Sequence, residues 1–126
     1  RFRPELAAAG GAIVNVASTS SFIATPGQPA YSASKGGLVT LTRSLADAWA
    51  VEGIRVNAVA PGLVATRLTR VSREREQVYE ESIRSIPLRR WGTPAEMGSV
   101  ALFLASPLAS YITGQVVVVD GGLTLR

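Results

Sequence analysis

Three short runs of small and β-branched apolar residues dominate the chain: 12–17 (AIVNVA), 54–60 (IRVNAVA) and 115–120 (QVVVVD). Runs of this length and composition read as strands buried on both faces. Between the first two, residues 30–52 carry Tyr31, Leu38, Leu41, Leu45 and Trp49 at helical spacings, and Gly53 stops the pattern. Between the second and third lie a charged segment, 71–86, expected to be a helix packed through Val71, Val78, Ile83 and Ile86, and the start signal Thr93-Pro94-Ala95-Glu96. That signal combines an N-cap threonine, a first-turn proline and the glutamate of a capping box, opening a helix to about residue 105. Residues 1–9 read as a further helix, closed by Gly10-Gly11. Strand, helix, strand, helix, strand implies parallel pairing through right-handed crossovers. The expected fold is therefore α/β, with the strands adjacent in chain order. The outer edge of the first strand would be left exposed, which is a liability in a finished sheet; on this ground the sequence reads as part of a larger one.

At 126 residues, with nearly half of them apolar, the chain suits one compact domain. It has neither cysteine nor histidine, so disulfides, thiolate metal sites and histidine bases are excluded. No run approaches a membrane span and no signal-type segment opens the chain, so a cytoplasmic protein is expected, without a membrane partner. The net charge of +4 does not read as a nucleic-acid footprint. The arginines are scattered, and between Arg67 and Arg84 they alternate with Glu74, Glu76, Glu80 and Glu81 in the manner of a solvated helix face.

Twelve arginines accompany one lysine, Lys35, which follows Tyr31 by four residues. On a helix the two project from one side, about 40° apart around the axis. Arginine cannot replace a compact ammonium there. By itself the pair also fits a core tyrosine beside a lysine that reaches solvent. Ser18 stands thirteen residues before Tyr31, at the C-terminal end of the first run, where open parallel sheets bind ligands.

The run GAIVNVAS (11–18), YSASK (31–35), VNAVAPG (56–62) and YITGQVVVVDGG (111–122) together resemble the short-chain dehydrogenase/reductase family over essentially the whole chain. The likeness is greatest to the branch of β-ketoacyl carrier-protein reductases and sugar, steroid and alcohol dehydrogenases. It implies the C-terminal half of a Rossmann-type doubly wound parallel sheet and an NAD- or NADP-dependent oxidoreductase acting on a small carbonyl or alcohol substrate. Tyr31 would be the general acid/base. A phenol alone is a poor base at neutral pH, and Lys35 would stabilise its anion while binding the nicotinamide ribose. Ser18 would hold the substrate oxygen, with Ser20 and Ser21 as less well spaced alternatives. Pro61 and Gly62 would lead into a turn whose Val64 backbone and Thr66 hydroxyl contact the nicotinamide carboxamide. Without a ligand, Pro-Gly simply ends a strand. The segment from Val71 would cover the substrate as a flap. The resemblance also implies a homo-oligomer, dimer or tetramer, through the glycine-bearing helix around Gly36-Gly37 and through the end of the chain at Asp120-Gly121-Gly122. The alternative for the two glycines is close packing on the chain's own sheet.

The family's glycine-rich phosphate-binding turn has no match here, nor does its Asn-Asn-Ala-Gly strand. The residue that selects NAD or NADP lies in that unmatched half too. Two further readings follow: a truncated product without catalysis, and a basic, non-catalytic binding module.

Overall fold

The computed structural model describes residues 1–125. Helix α1 (Arg3–Ala9) turns at Gly10 into β1 (Ala12–Val16). After a single 3-10 turn at Thr19–Ser21 comes the long helix α2 (Pro29–Trp49), then β2 (Arg55–Pro61). Two short helices, α3 (Arg70–Glu74) and α4 (Glu76–Ser85), precede α5 (Pro94–Ala105), β3 (Val116–Val119) and a closing 3-10 turn at Leu123–Leu125. The sheet has the expected order β1-β2-β3, with both pairs parallel.

β2 is the strand buried on both faces. Its even positions Val56, Ala58 and Ala60, and Ile54 just before it, are essentially inaccessible and meet Val39 and Ala46 of α2. On the odd side Arg55 reaches the end of α5 and donates to the carbonyls of Leu104 (2.7 Å), Ser106 (3.1 Å) and Ala105 (3.3 Å). These are carbonyls that a helix end leaves without partners. α5 thus lies against β1 and β2 from the side opposite α2. β1 and β3 are only half-buried, and Val16 is 55% exposed. The expectation of full burial for those two strands is corrected, because each has only one hydrogen-bonded neighbour in the sheet.

The polar residues inside the strands act as fasteners. Asn15 Nδ2 donates to Thr42 Oγ1 (2.9 Å), tying β1 to α2. Asn57 is fully buried; its Nδ2 donates to the Ile112 carbonyl (2.8 Å) and its Oδ1 accepts from the Gln115 N–H (3.0 Å). Both asparagines therefore satisfy the demand that buried polar groups be paired.

Two further expectations are corrected. The buried stripe of α2 is Val39, Thr42 and Ala46, one residue out of phase with the leucines, and Tyr31 and Leu41 are exposed. Small residues on the stripe let the helix lie close to the sheet, where leucines would hold it off. The charged segment is not one helix, since Arg75 is extended (φ −86°, ψ 96°) and divides α3 from α4. Around the break the nearest large apolar residues, Val71 and Val78, are both exposed, so no apolar face holds a continuous helix down. Gly36 and Gly37 also depart from close packing on the chain's own sheet: a Cβ on either would meet nothing within 4 Å.

The Thr93 capping box forms as expected, with Glu96 also bonded to Arg90 through Nη1 (3.0 Å) and Nη2 (2.6 Å). These hydrogen bonds, from Arg90 first and then from the Thr93 N–H and hydroxyl, hold the Glu96 carboxyl at about 2. The charged form is favoured in the folded state, so its contribution to stability is present above the ordinary value of 4.5 and is lost as pH falls through about 2. Urea unfolding of Glu96→Gln across that window should show a shallower pH dependence than the parent. At Gly62 an added Cβ would stand 2.6 Å from Asp120 Cβ and 2.9 Å from Asp120 Cα. Gly62→Ala should therefore force β2 and β3 apart and cost about 1–3 kcal/mol. Gly37→Ala, in open space within a helix, should add up to about 1 kcal/mol. Chemical denaturation of the two variants side by side would measure both.

Candidate active site

The sheet brings its strand ends together, and the sequence-derived residues gather at the C-terminal side. Ser18 follows β1 directly and is 8% exposed. Its Oγ caps the following turn by accepting from the Ser20 N–H (3.2 Å). A hydroxyl that accepts from the backbone keeps its own proton for another acceptor. Ser21 differs: its Oγ is buried with no hydrogen-bond partner, as is that of Ser32, next to Tyr31. Ser20 serves Ser18 through its backbone.

Tyr31 lies in the first turn of α2, which packs against the Ser18 turn, and the residue is 43% exposed. Lys35 follows one turn on. Its Nζ is 5.7 Å from the centre of the Tyr31 ring, within cation–π range. The same ammonium donates to the Val16 carbonyl (2.7 Å). Gly11 O accepts from Arg55 N, and Ala17 N donates to Val59 O. The odd-numbered residues of β1 thus turn their main-chain groups towards β2. Successive residues alternate, so the Val16 carbonyl points to the open edge, and Lys35 reaches round to it.

Pro61 ends β2, and Gly62 N–H donates to Val119 O (3.0 Å), with Asp120 packed against it. Gly62 is needed there for sheet packing whether or not a ligand is near. Asp120 in turn caps the chain's last turn, accepting from Gly122 N–H, Thr124 N–H and Thr124 Oγ1, all at 2.8 Å. Burial works to raise its carboxyl, but these bonds outweigh it and hold the group below its usual value. The turn 63–69 is organised by Thr69, a residue that the sequence reading passed over. Thr69 Oγ1 donates to Val64 O (2.7 Å) and accepts from Thr66 N–H (3.0 Å), while Thr69 N–H donates to Thr66 Oγ1 (3.3 Å). The Thr-x-x-Thr spacing is the signal that could have found it. The turn is also strapped to residue 92, through Ala65 N–H to Gly92 O (2.8 Å) and Gly92 N–H to Leu63 O (2.9 Å). No sequence feature announces this pairing across nearly thirty residues. Among the described residues the Val64 N–H finds no protein acceptor.

The strand ends therefore present a phenol, an ammonium, a nearly buried hydroxyl and a backbone donor. They offer no metal-ligating cluster among the described residues. That set can hold an oxygen, deliver a proton to it and stabilise the resulting anion. A second concavity, of about 820 Å3, lies at the other end of the sheet beside Gly11, Ile54 and Thr113. Its one cation, Arg55, is committed to the end of α5. No helix among the described residues is long and apolar enough to cross a membrane.

The chain as a whole is similar to known proteins. Residues 1–124 match the family model described as enoyl-(acyl carrier protein) reductase. The chain is 50% identical to galactitol 2-dehydrogenase (L-tagatose-forming) of Cereibacter sphaeroides, over 98% of this chain and 49% of the relative. It is 48% identical to a 3-oxoacyl-(acyl-carrier-protein) reductase of Chlamydia pneumoniae, over 97% of this chain and 48% of that one. Among solved structures it resembles a gluconate 5-dehydrogenase from Burkholderia cenocepacia in complex with NADP and tartrate. There the TM-score is 0.91 at 35% identity, covering 98% of this chain and 49% of that one. A short-chain type dehydrogenase/reductase from Mycobacterium ulcerans gives a TM-score of 0.93 at 32% identity, over 98% of this chain and 46% of that one. The chain spans about half the length of the relatives it matches.

Removing the Thr69 hydroxyl should loosen the turn that carries Val64 and Thr66. Thr69→Val is expected to cost about 1 kcal/mol, with faster hydrogen exchange at the Thr66 amide than in the parent and little change at the Asn57 amide in the middle of β2.

Proposed function

The chain belongs to the short-chain dehydrogenase/reductase family, and from that premise we propose that it forms the catalytic part of an NAD- or NADP-dependent oxidoreductase interconverting a secondary alcohol and a carbonyl. The observation that carries this reading is the placement of the Lys35 ammonium between the Val16 carbonyl and the Tyr31 ring, one strand end from Ser18.

The donor set fits a nicotinamide dinucleotide. Val64 offers a backbone N–H without a protein acceptor, Thr66 carries a hydroxyl on the same turn, and Lys35 has N–H groups beyond the one given to Val16. Pro61 and Gly62 set where that turn leaves the sheet. The bound dinucleotide supplies or accepts the hydride. In the reducing direction Ser18 donates a hydrogen bond to the carbonyl oxygen, where negative charge accumulates as the reaction proceeds. Tyr31 Oη gives its proton to the same oxygen. Lys35 then stabilises the phenolate left behind, with its ammonium held in place by Val16. The exposure of Tyr31 allows solvent to return the proton. In the oxidising direction the same groups act in reverse.

The relatives named above act on polyols, sugar acids and acyl chains, so this reading stops at a small alcohol or carbonyl compound. We also propose a homo-oligomer, dimer or tetramer. The support is the outer side of α2, where Gly36 and Gly37 face open space beside exposed Leu41.

The test is a chimera in which the N-terminal half of the galactitol relative precedes Arg1, assayed for dinucleotide-linked turnover. Tyr31→Phe should lower kcat by about 100-fold or more while dinucleotide affinity stays near that of the parent. Lys35→Ala should damage both. Near-normal turnover in Tyr31→Phe would show that another group transfers the proton.

A further inference from the structure

A cavity of about 500 Å3 lies between α3, the first turns of α4 and the loop before α5, with Ala65 of the turn 63–69 in its lining. Its base is aromatic. Trp91 is buried, its indole N–H donates to Ser82 Oγ (2.7 Å), and its ring is tilted against Tyr79 with the centroids 5.9 Å apart. Three arginines contribute to the wall, with Glu74 as the one acid.

The three guanidinium groups are not equivalent. Arg90 is committed, giving Nη1 and Nη2 to Glu96 and also reaching the Trp91 carbonyl (3.2 Å). Arg70 places Nε 3.3 Å from Glu74 Oε1, which leaves its two Nη groups for another partner. Arg73 makes no ion pair and no side-chain hydrogen bond among the described residues. With Glu74 and Glu96 each answering one arginine, the uncompensated positive charge of the cavity is that of Arg73. Arg73 is solvent-exposed, as are the other residues of α3. Here it joins the free edge of Arg70 above an aromatic floor, and planar guanidinium donors match the paired oxygens of a carboxylate or phosphate.

We propose that this cavity binds the carboxylate or phosphate group of a small polar molecule, with Arg73 as the principal contact and Arg70 as the second. The floor formed by Trp91 and Tyr79 takes the less polar part of the same molecule. Because α3 and α4 meet at the cavity, its ligand bridges the two helices across the extended Arg75.

The experiment is an NMR titration of the isotope-labelled 126-residue chain with sodium phosphate and, separately, with sodium acetate, the ionic strength held constant with chloride. Arg73 Nε–H and Trp91 Nε1–H should shift and saturate in the millimolar range with at least one of the two anions. The anion that saturates first identifies the group as phosphate or carboxylate. Arg73→Gln should weaken binding about fivefold or more, Arg73→Lys by less, and Arg43→Gln, on α2, not at all. Calorimetric titration of the same variants, with circular dichroism to confirm an unchanged fold, provides a readout that does not depend on spectral quality. Shifts that rise without saturating, equal loss in Arg43→Gln, or parent-like binding in Arg73→Gln would each overturn the proposal.

Discussion

The burial of β2 on four sides is the constraint on which the other elements depend. Parallel neighbours satisfy its backbone on both edges, α2 closes one face, and Arg55 joins the other to the end of α5. A strand so enclosed cannot shift by one residue without driving Arg55 and Asn57 into an apolar layer and Val56 and Ala58 out of it. The register of β1 and β3 follows from it, and so does the height at which each strand ends.

Strand ends, more than helices, locate the chemistry. Ser18 is placed by the end of β1, the turn 63–69 by the end of β2, and Asp120 by the end of β3. α2 then brings Tyr31 and Lys35 to the same side, since Asn15 and Thr42 fasten the helix to β1. The outer segment of α3 and α4 has no such fixture until Tyr79 meets Trp91. The division of labour is physical: a rigid sheet edge carries the reacting groups, and a weakly packed polar cover stands beside it.

Much of this was legible in the residues. β-branched runs announced the three strands and their order, Thr93-x-x-Glu96 announced α5, and the four-residue step from Tyr31 to Lys35 placed both side chains on one side of a helix. What was not legible depends on neighbours that no local pattern contains. The half-burial of β1 and β3 is set by how many strands flank them, not by their valines. The true stripe of α2 runs through Val39, Thr42 and Ala46 because a flat sheet selects small residues, whereas periodicity singles out large ones. Arg75 interrupts a pattern of charges that would suit a continuous helix equally well. The strap from Leu63 and Ala65 to Gly92 is made by backbone alone and leaves no side-chain signature.

The bond from Lys35 to the Val16 carbonyl gives strand register a chemical meaning. An anchor made of main chain does not depend on which side chain position 16 carries, so substitutions there that preserve the strand leave the ammonium where it is. A slip of β1 by one residue is another matter. The carbonyl at Lys35 would then be one that points towards β2, and the cation would lose its tether while every side chain of the site remained in the sequence. Geometry of the peptide backbone, and not the identity of any one residue, is what keeps this charge beside the phenol.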